Sequence, residues 1–171
     1  RGVDPQRIRV VYNWAPEETV LEEPAVTPDG WPHGEGLFRV LFAGNFGRAQ
    51  GLSAVVQAAR ILRDRRPEVR IVFAGDGVES ALLRESAADL RNVVFLGRLA
   101  RENAARCLKA AEALLVHLTP EPLFDITIPS KTQTYLAAGR PIVAGVRGDA
   151  ADLVSNARAG VLCTPGDPAS I

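Results

Sequence analysis

Residues 123–143, LFDITIPSKTQTYLAAGRPIV, spell out a complete loop–helix–strand unit. Pro129 suits the first turn of a helix, where its missing N–H costs nothing. Gly139 can close that helix in a left-handed conformation, and Pro141 prevents its continuation. An apolar run then begins at Ile142. The stretch therefore predicts a helix from about Pro129 to Gly139 that leads directly into a buried strand.

The start of this helix combines groups that attract an anion. Ser130 supplies a hydroxyl and Lys131 a cation, beside backbone N–H groups that have no partner within the helix. A helix N-terminus ordinarily favours acids, by about 0.3–1 kcal/mol, so a lysine there is misplaced unless an anion lies beside it. We expect this helix end to bind a phosphate.

Composition excludes several other classes of protein. The chain has 171 residues, a length typical of one domain, with 47% hydrophobic and 23% charged residues. Its 20 basic and 20 acidic residues cancel, so no global field points to nucleic acid. Cys107 and Cys163 are too few and too far apart for a disulfide framework or a metal site. Both cysteines are interpreted as buried small hydrophobic residues.

Apolar runs and helical patterns alternate along the chain. Strands are predicted at residues 39–43, 69–74, 93–96, 114–118, 142–146 and 160–163. Helices are predicted at 52–65, 79–90, 102–111 and 150–157, besides the one after Pro129. This order predicts an α/β fold, a Rossmann-like parallel sheet of about six strands with helices on both faces. We place the strand after Gly139 at the centre of that sheet.

The two ends of the chain differ from its middle. Residues 1–36 are predicted as a linker, with an edge strand or connector at 7–12 and a Pro- and Gly-rich loop at 15–36. Residues 37–171 form the predicted domain. The chain contains no methionine, and a helix predicted to start at Asp167 has no room before Ile171. We therefore expect an excised piece of a longer protein, with the domain truncated at its C-terminus.

The segment GNFGRAQG, residues 44–51, is a second candidate for ligand binding. Glycines between a strand and a helix let backbone approach a ligand closely, although a tight turn alone would explain them equally well. The spacing is neither a dinucleotide fingerprint nor a P-loop. Loops that follow parallel strands share one sheet edge, so we expect this segment to lie within a few ångströms of Ser130 and Lys131.

The motif P-S-K-x-x-x-Y-L-A-A-G-R-P-I-V resembles the signature of the C-terminal, donor-binding half of retaining GT-B glycosyltransferases of the group 1 type, also called family 4. The P-S-K form and the G-N-x-G-x-A-Q-G loop resemble the bacterial branch that transfers amino-sugars such as N-acetylfucosamine. Asn13-Trp14 resembles the end of that branch's linker strand, although a Trp packed on the domain surface explains it as well. The resemblance implies phosphate and donor contacts from these residues: Gly44, Asn45, Gly47, Arg48, Gln50, Gly51, Ser130 and Lys131.

The chain departs from the family pattern at the ribose site. The family carries two glutamates in an E-x7-E pattern, and their positions are Ile126 and Thr134 here. Thr134 is thus the expected ribose contact, with Asp125 the nearest acid. The resemblance also implies that Gly97 and Arg98 meet the base. His117 is predicted to be a hydrogen-bonded buried histidine, with a donor-sugar contact as the alternative.

The resemblance implies transfer of a sugar from a nucleotide sugar, a UDP-sugar, to a polysaccharide or lipid-linked acceptor held by a separate N-terminal domain. It implies no metal and no other cofactor, a cytoplasmic location at the inner face of the membrane, and no activity in this piece alone. The catalytic residues are not identified. Two alternatives stay open: the nucleotide-binding domain of a sugar-nucleotide epimerase, and a degenerate GT-B domain without catalysis.

Overall fold

A computed structural model describes residues 2–9, 11–15 and 27–171. The strands are β1 (Phe38–Asn45), β2 (Val69–Asp76), β3 (Val93–Gly97), β4 (Ala113–His117), β5 (Ile142–Gly145) and β6 (Gly160–Leu162). The helices are α1 (Leu52–Arg65), α2 (Ser80–Ser86), α3 (Arg101–Ala110), α4 (Ser130–Ala138) and α5 (Gly148–Asn156). Short 3-10 turns lie at Pro5–Arg7, Arg48–Gln50 and Pro122–Ile126.

The six strands form one parallel sheet in the order β3-β2-β1-β4-β5-β6. The predicted fold class is therefore confirmed. The chain winds outward from β1 to β3, then crosses over to β4 on the other side of β1. The middle of the sheet is consequently β1 and β4. The prediction of a central β5 is wrong, because only β6 lies beyond it.

Both faces of the sheet are covered, as its continuous apolar strands require. Phe42, Phe73 and Leu115 point to the face covered by α1 and α2. Their chain neighbours Leu41 and Leu114 point to the opposite face, where α3, α4 and α5 pack. Adjacent strand residues thus supply two separate cores. On this second face, α3 and α4 pack against each other.

Several predicted elements differ from the structure. Helix α2 ends at Ser86 instead of residue 90, because the chain turns at Ala87 to bring buried Leu90 against the sheet. The described part of 7–12 is no strand, and residue 10 lies outside the described residues. Asp167 accepts from the N–H of Ala169 at 3.0 Å, but a turn follows there instead of a helix.

Residues before the first strand also contact the domain. Trp31 is 5% exposed and belongs to the core beneath α3, α4 and α5. The Arg39 guanidinium donates to the carbonyls of Pro32, at 2.7 Å, and Gly34, at 2.9 Å, which holds this segment in place. Trp14, in contrast, is 84% exposed. The expectation that Trp14 packs on the domain surface is therefore wrong.

Candidate functional site

A cavity of about 560 Å³ opens beyond the carboxyl ends of β1 and β4, between α3 and the first turn of α4. Strand order reverses between these two strands, and ligands of open α/β sheets bind at such a point. The cavity is lined by Ala43, Gly44, Asn45, Ala49, Gln50, Ala104, Leu108, Leu118, Phe124, Thr127, Pro129, Ser130, Lys131, Thr134 and Tyr135. The two segments selected from sequence therefore contribute to one wall.

Lys131 is buried at its charged end. The side chain as a whole is partly exposed, but Nζ is inaccessible to solvent and makes no hydrogen bond within the described structure. Nζ lies 3.5 Å from the centroid of the Phe42 ring. It is also 3.2 Å from where a Cβ on Gly44 would be. The predicted convergence of Lys131 with the loop after β1 is therefore present.

No carboxylate among the described residues offsets this lysine. Lys131 is the one Lys, Arg, Asp or Glu side chain among the cavity-lining residues that the structure describes. Burial lowers the pKa of the Lys131 ammonium to about 7, because desolvation disfavours the charged form. A buried amine with no counter-ion among the described residues, on a side chain that lines a cavity, is suited to an anionic ligand.

Tyr135 holds α4 against β1. Pairing between β1 and β4 stops at the Leu41–Leu114 pair, so Ala43 has no partner in β4. The Tyr135 hydroxyl instead accepts from the Ala43 N–H at 2.9 Å and donates to the Ala43 carbonyl at 3.3 Å. Burial raises the pKa of Tyr135, so the hydroxyl stays protonated. The motif tyrosine thus sets the distance between helix and strand that gives the cavity its width.

Only part of the glycine-rich loop faces the cavity. Gly44, Asn45 and Gln50 line it. Gly47 donates its N–H to Gln50 Oε1 at 2.9 Å, and a Cβ on Gly47 would lie 2.7 Å from that oxygen. Gly47 therefore serves the shape of the loop. Arg48 is 90% exposed and lies 3.8 Å from Glu79, away from the cavity lining.

Gly51, the last loop glycine, makes room for His117. It is left-handed, with φ 54°, and a Cβ there would lie 3.2 Å from His117 Cε1. Gly145 has the same role on the other side, since its Cβ would lie 2.3 Å from His117 Cδ2. Neither Gly47, Arg48 nor Gly51 lines the cavity, so the structure does not bring these three predicted residues to its wall.

His117 is fully buried with both nitrogens bonded. Nδ1 lies 2.7 Å from the Gln50 carbonyl, and the Gly166 N–H donates to Nε2 at 3.0 Å. A carbonyl needs a donor and an N–H needs an acceptor, so the ring is neutral with its proton on Nδ1. Burial correspondingly lowers its pKa. The prediction of a hydrogen-bonded buried histidine is confirmed.

A second cavity of about 300 Å³ adjoins the first and shares Ala43, Gly44, Asn45 and Ala104 with it. Arg98 lines it together with Asp76. The Asp76 carboxylate accepts from the Ser80 hydroxyl and from the Gly77 N–H at 2.9 Å, which lowers its pKa. Gly97 ends β3 with φ 70° and lines neither cavity.

The predicted ribose contact, Thr134, lines the large cavity one helical turn after Ser130. Its hydroxyl donates to the Ser130 carbonyl at 3.4 Å, which leaves its lone pairs available as acceptors. Both residues also border a hollow of about 350 Å³ with Asn13 and Trp14. Asp125 lines none of these cavities, because its backbone packs against Gly148 at the start of α5.

Sequence reasoning missed the role of Phe42. This residue reads as an ordinary core aromatic, yet its ring face carries Nζ of Lys131. No sequence pattern connects the two, because they are 89 residues apart and meet only through β1 and α4 packing. Tyr135 belonged to the recognised motif, but its bond to Ala43 had no signal in the sequence.

No three His, Cys, Asp or Glu side chains among the described residues gather into a group able to hold a metal ion. No described helix combines the length and apolar character that crossing a membrane requires. Metal independence stays a prediction.

A family model and several curated proteins resemble this chain. A family model described as "Glycosyl transferases group 1" matches residues 38–171. The probable glycosyltransferase WbjE of Pseudomonas aeruginosa is 29% identical over 180 residues, covering 98% of this chain and 43% of that protein. The D-inositol 3-phosphate glycosyltransferase of Pseudarthrobacter chlorophenolicus is 29% identical over 134 residues, covering 74% of this chain and 31% of that protein.

Solved structures share the fold. WaaG, a glycosyltransferase involved in lipopolysaccharide biosynthesis, superposes with a TM-score of 0.69 at 18% identity, covering 94% of this chain and 44% of WaaG. Anabaena HepE, solved with UDP, gives a TM-score of 0.64 at 24% identity, over 79% of this chain and 37% of HepE. The chain spans less than half the length of the relatives it matches. The family match over most of the chain shows that it belongs to the group 1 glycosyltransferases.

Proposed function

We propose that this chain is the donor-binding domain of a glycosyltransferase that moves a sugar from a UDP-sugar to a polysaccharide or lipid-linked acceptor. The observation that carries the proposal is Lys131, which lines a cavity whose described lining has no carboxylate. Its Nζ is buried with no hydrogen-bond partner among the described residues. Family membership supplies the class of reaction, and the structures of HepE with UDP and with UDP-glucose favour uridine nucleotides.

In this proposal the diphosphate lies at the N-terminus of α4, between Ser130 and the backbone of Gly44. The helix N–H groups and Lys131 would stabilise negative charge on the departing diphosphate. They would thereby take the role that Mg²⁺ has in other enzymes. The nucleoside would extend along the adjoining cavity toward Arg98, with its ribose near Thr134.

The acceptor would be bound by part of the enzyme outside this chain, so the chain alone would bind the donor without turnover. The same proposal places the enzyme in the cytoplasm at the inner face of the membrane, where lipid-linked acceptors are accessible. The likeness to WaaG, a glycosyltransferase involved in lipopolysaccharide biosynthesis, favours bacterial surface polysaccharide or lipopolysaccharide as the product. The amino-sugar branch stays a prediction.

Calorimetric titration with UDP tests this function. Lys131→Ala should weaken UDP binding by about 1.5–3 kcal/mol, the range for a hydrogen bond to a charged group. Lys109→Ala is the matched control, because Lys109 is the chain's one other lysine and lies outside the cavity lining. Parent protein that binds GDP or NAD more tightly than UDP would refute the donor assignment. Equal UDP affinity in parent and Lys131→Ala would refute the site.

A further inference from the structure

Lys131 Nζ has three hydrogen-bonding positions and none is used within the described structure. The atom is enclosed by the Phe42 ring face, 3.5 Å from its centroid, and by the backbone at Gly44. An ammonium in this position has lost its water and gained no hydrogen bond in return. An uncharged amine in the same place loses far less, because its hydration is weaker.

In the part of the chain that the structure describes, the elements around Nζ offer no compensating charge. From α4 the nearest titratable group is Tyr135, whose hydroxyl is committed to Ala43 and kept protonated by burial. Strand β1 contributes Phe42 and Asn45. Helix α3 contributes Ala104 and Leu108, and the 3-10 turn before α4 contributes Phe124. Asp76 and Arg98 line the adjoining smaller cavity and not this one.

The Phe42 ring does not restore the lost solvation. A cation over a ring face gains free energy, but only a fraction of what a buried ammonium loses on leaving water. Desolvation lowers the pKa of Lys131 to about 7. The result agrees with the geometry: the amine is easily deprotonated when the cavity holds no anion.

We propose that Lys131 is an uncharged amine in the free domain and gains a proton at Nζ when the diphosphate of its ligand enters. The inference rests on the nucleotide-binding function proposed above. The proton comes from solvent, and the bound form is an ammonium–phosphate pair. The diphosphate supplies the counter-charge that the cavity lacks, so binding and protonation stabilise each other.

Linkage fixes the direction of the pH dependence. At a pH below the pKa of free Lys131 the amine is already charged, and binding takes up no proton. Above that pKa each binding event takes up close to one proton, so UDP affinity falls up to tenfold per pH unit. An ordinary surface lysine would give this decline only near its usual pKa of about 10.4.

Calorimetry at pH 8.5 counts the protons. The terminal phosphate of UDP, with a pKa near 6 like other phosphate monoesters, is fully deprotonated there, so uptake must come from the protein. UDP is titrated into the chain in Tris and in a buffer of small ionisation enthalpy. The slope of the observed binding enthalpy against the ionisation enthalpy of the buffer gives the number of protons taken up. For the parent and for Lys109→Arg, we expect an uptake of between about half a proton and one proton per UDP bound. Lys131→Arg, whose guanidinium is always charged, should bind UDP with uptake near zero.

UDP binding without proton uptake by the parent would overturn this proposal while leaving the nucleotide function intact. Equal uptake in the parent and Lys131→Arg would also overturn it. A parent that binds no UDP would refute the proposed function itself and the proposal with it.

A ligand-free measurement is independent of how Lys131→Arg behaves. The carbon-13 shift of lysine Cε follows protonation, and Lys109→Arg leaves Lys131 as the one lysine to observe. Its titration midpoint in the free chain should lie at least about one pH unit below that of lysine in the unfolded chain. Equal midpoints would overturn the proposal.

Discussion

The imidazole of His117, at the end of β4, donates from Nδ1 to the carbonyl of Gln50, in the loop after β1, across 2.7 Å. Through Nε2 the same ring accepts from Gly166, in the turn after β6. One side chain thus joins loops from three strands at the sheet edge that holds the cavity. Gln50 lines the cavity, whereas His117 does not. The shape of the cavity therefore depends on a histidine that lies outside its lining.

Replacing His117 should destabilise the domain and change its response to pH. His117→Phe leaves the Gly166 N–H and the Gln50 carbonyl without partners and should cost about 1–3 kcal/mol. The folded protein holds this ring neutral, whereas the unfolded chain takes up a proton near pH 6.5. The unfolded state therefore binds more protons below about pH 6.5, and stability falls as the pH falls.

Urea unfolding at pH 5, 6 and 7 measures this contribution. Between pH 7 and pH 5, the free energy of unfolding should fall less in His117→Phe than in the parent. His33→Phe is the control, since His33 is the chain's other histidine and is exposed. A decline of the same size in His117→Phe and the parent would contradict the neutral tautomer.

Tyr135→Phe should separate packing from hydrogen bonding. The ring remains in the core, but the Ala43 N–H and carbonyl lose their partner at the end of β1. We expect a loss of about 1–2 kcal/mol in the free energy of unfolding, measured by chemical denaturation. Tyr12→Phe, at the exposed second tyrosine, should change it by less than about 0.5 kcal/mol. A Tyr135→Phe variant as stable as the parent would show that water replaces the hydroxyl.

Thr134→Glu should strengthen UDP binding at least several-fold, by restoring the carboxylate that the family presents to ribose. Hydrogen bonds to an ionised acceptor are roughly twice as strong as those to a neutral one. Gln133→Glu adds the same charge one residue earlier, outside the cavity lining, and should leave affinity close to that of the parent. Calorimetric affinities decide the matter. Unchanged or weaker binding by Thr134→Glu would place the ribose elsewhere.

Lys131→Met should stabilise the free domain while it weakens ligand binding. The folded pKa of about 7 lies below the usual value of 10.5, so the unfolded state binds more protons between these values. The contribution of Lys131 to the stability of the parent is therefore most unfavourable at and below pH 7. This penalty diminishes as the pH rises toward 10. We expect Lys131→Met to gain ~1–4 kcal/mol at pH 7, and less at pH 9.5.

Thermal and chemical unfolding at the two pH values test the gain. Lys109→Met serves as the comparison and should show no such pH-dependent stabilisation. A destabilised Lys131→Met at pH 7 would mean that the Phe42 contact holds the charged form more favourably than the burial of Nζ indicates.

The sequence by itself determined the class of fold, because that information is local. The apolar run at β2 and the 3.6-residue period of α1 specify a strand and a helix without knowledge of their neighbours. Gly139 and Pro141 end α4 through their own backbone restrictions. The motif around Lys131 identified the helix end that faces the cavity, since residues that follow a parallel strand must lie at its carboxyl edge.

Only the tertiary structure decided how the site residues act. Local patterns do not show where a crossover lands, so they misplaced β5 at the centre of the sheet. They did not show that Gly51 makes room for His117, nor that Arg48 points away from the cavity. The contact between Lys131 and Phe42 joins residues 89 positions apart, and the burial that lowers the lysine pKa comes from that packing. Burial, pairing and strand order depend on distances between elements, which the order of residues along one chain does not specify.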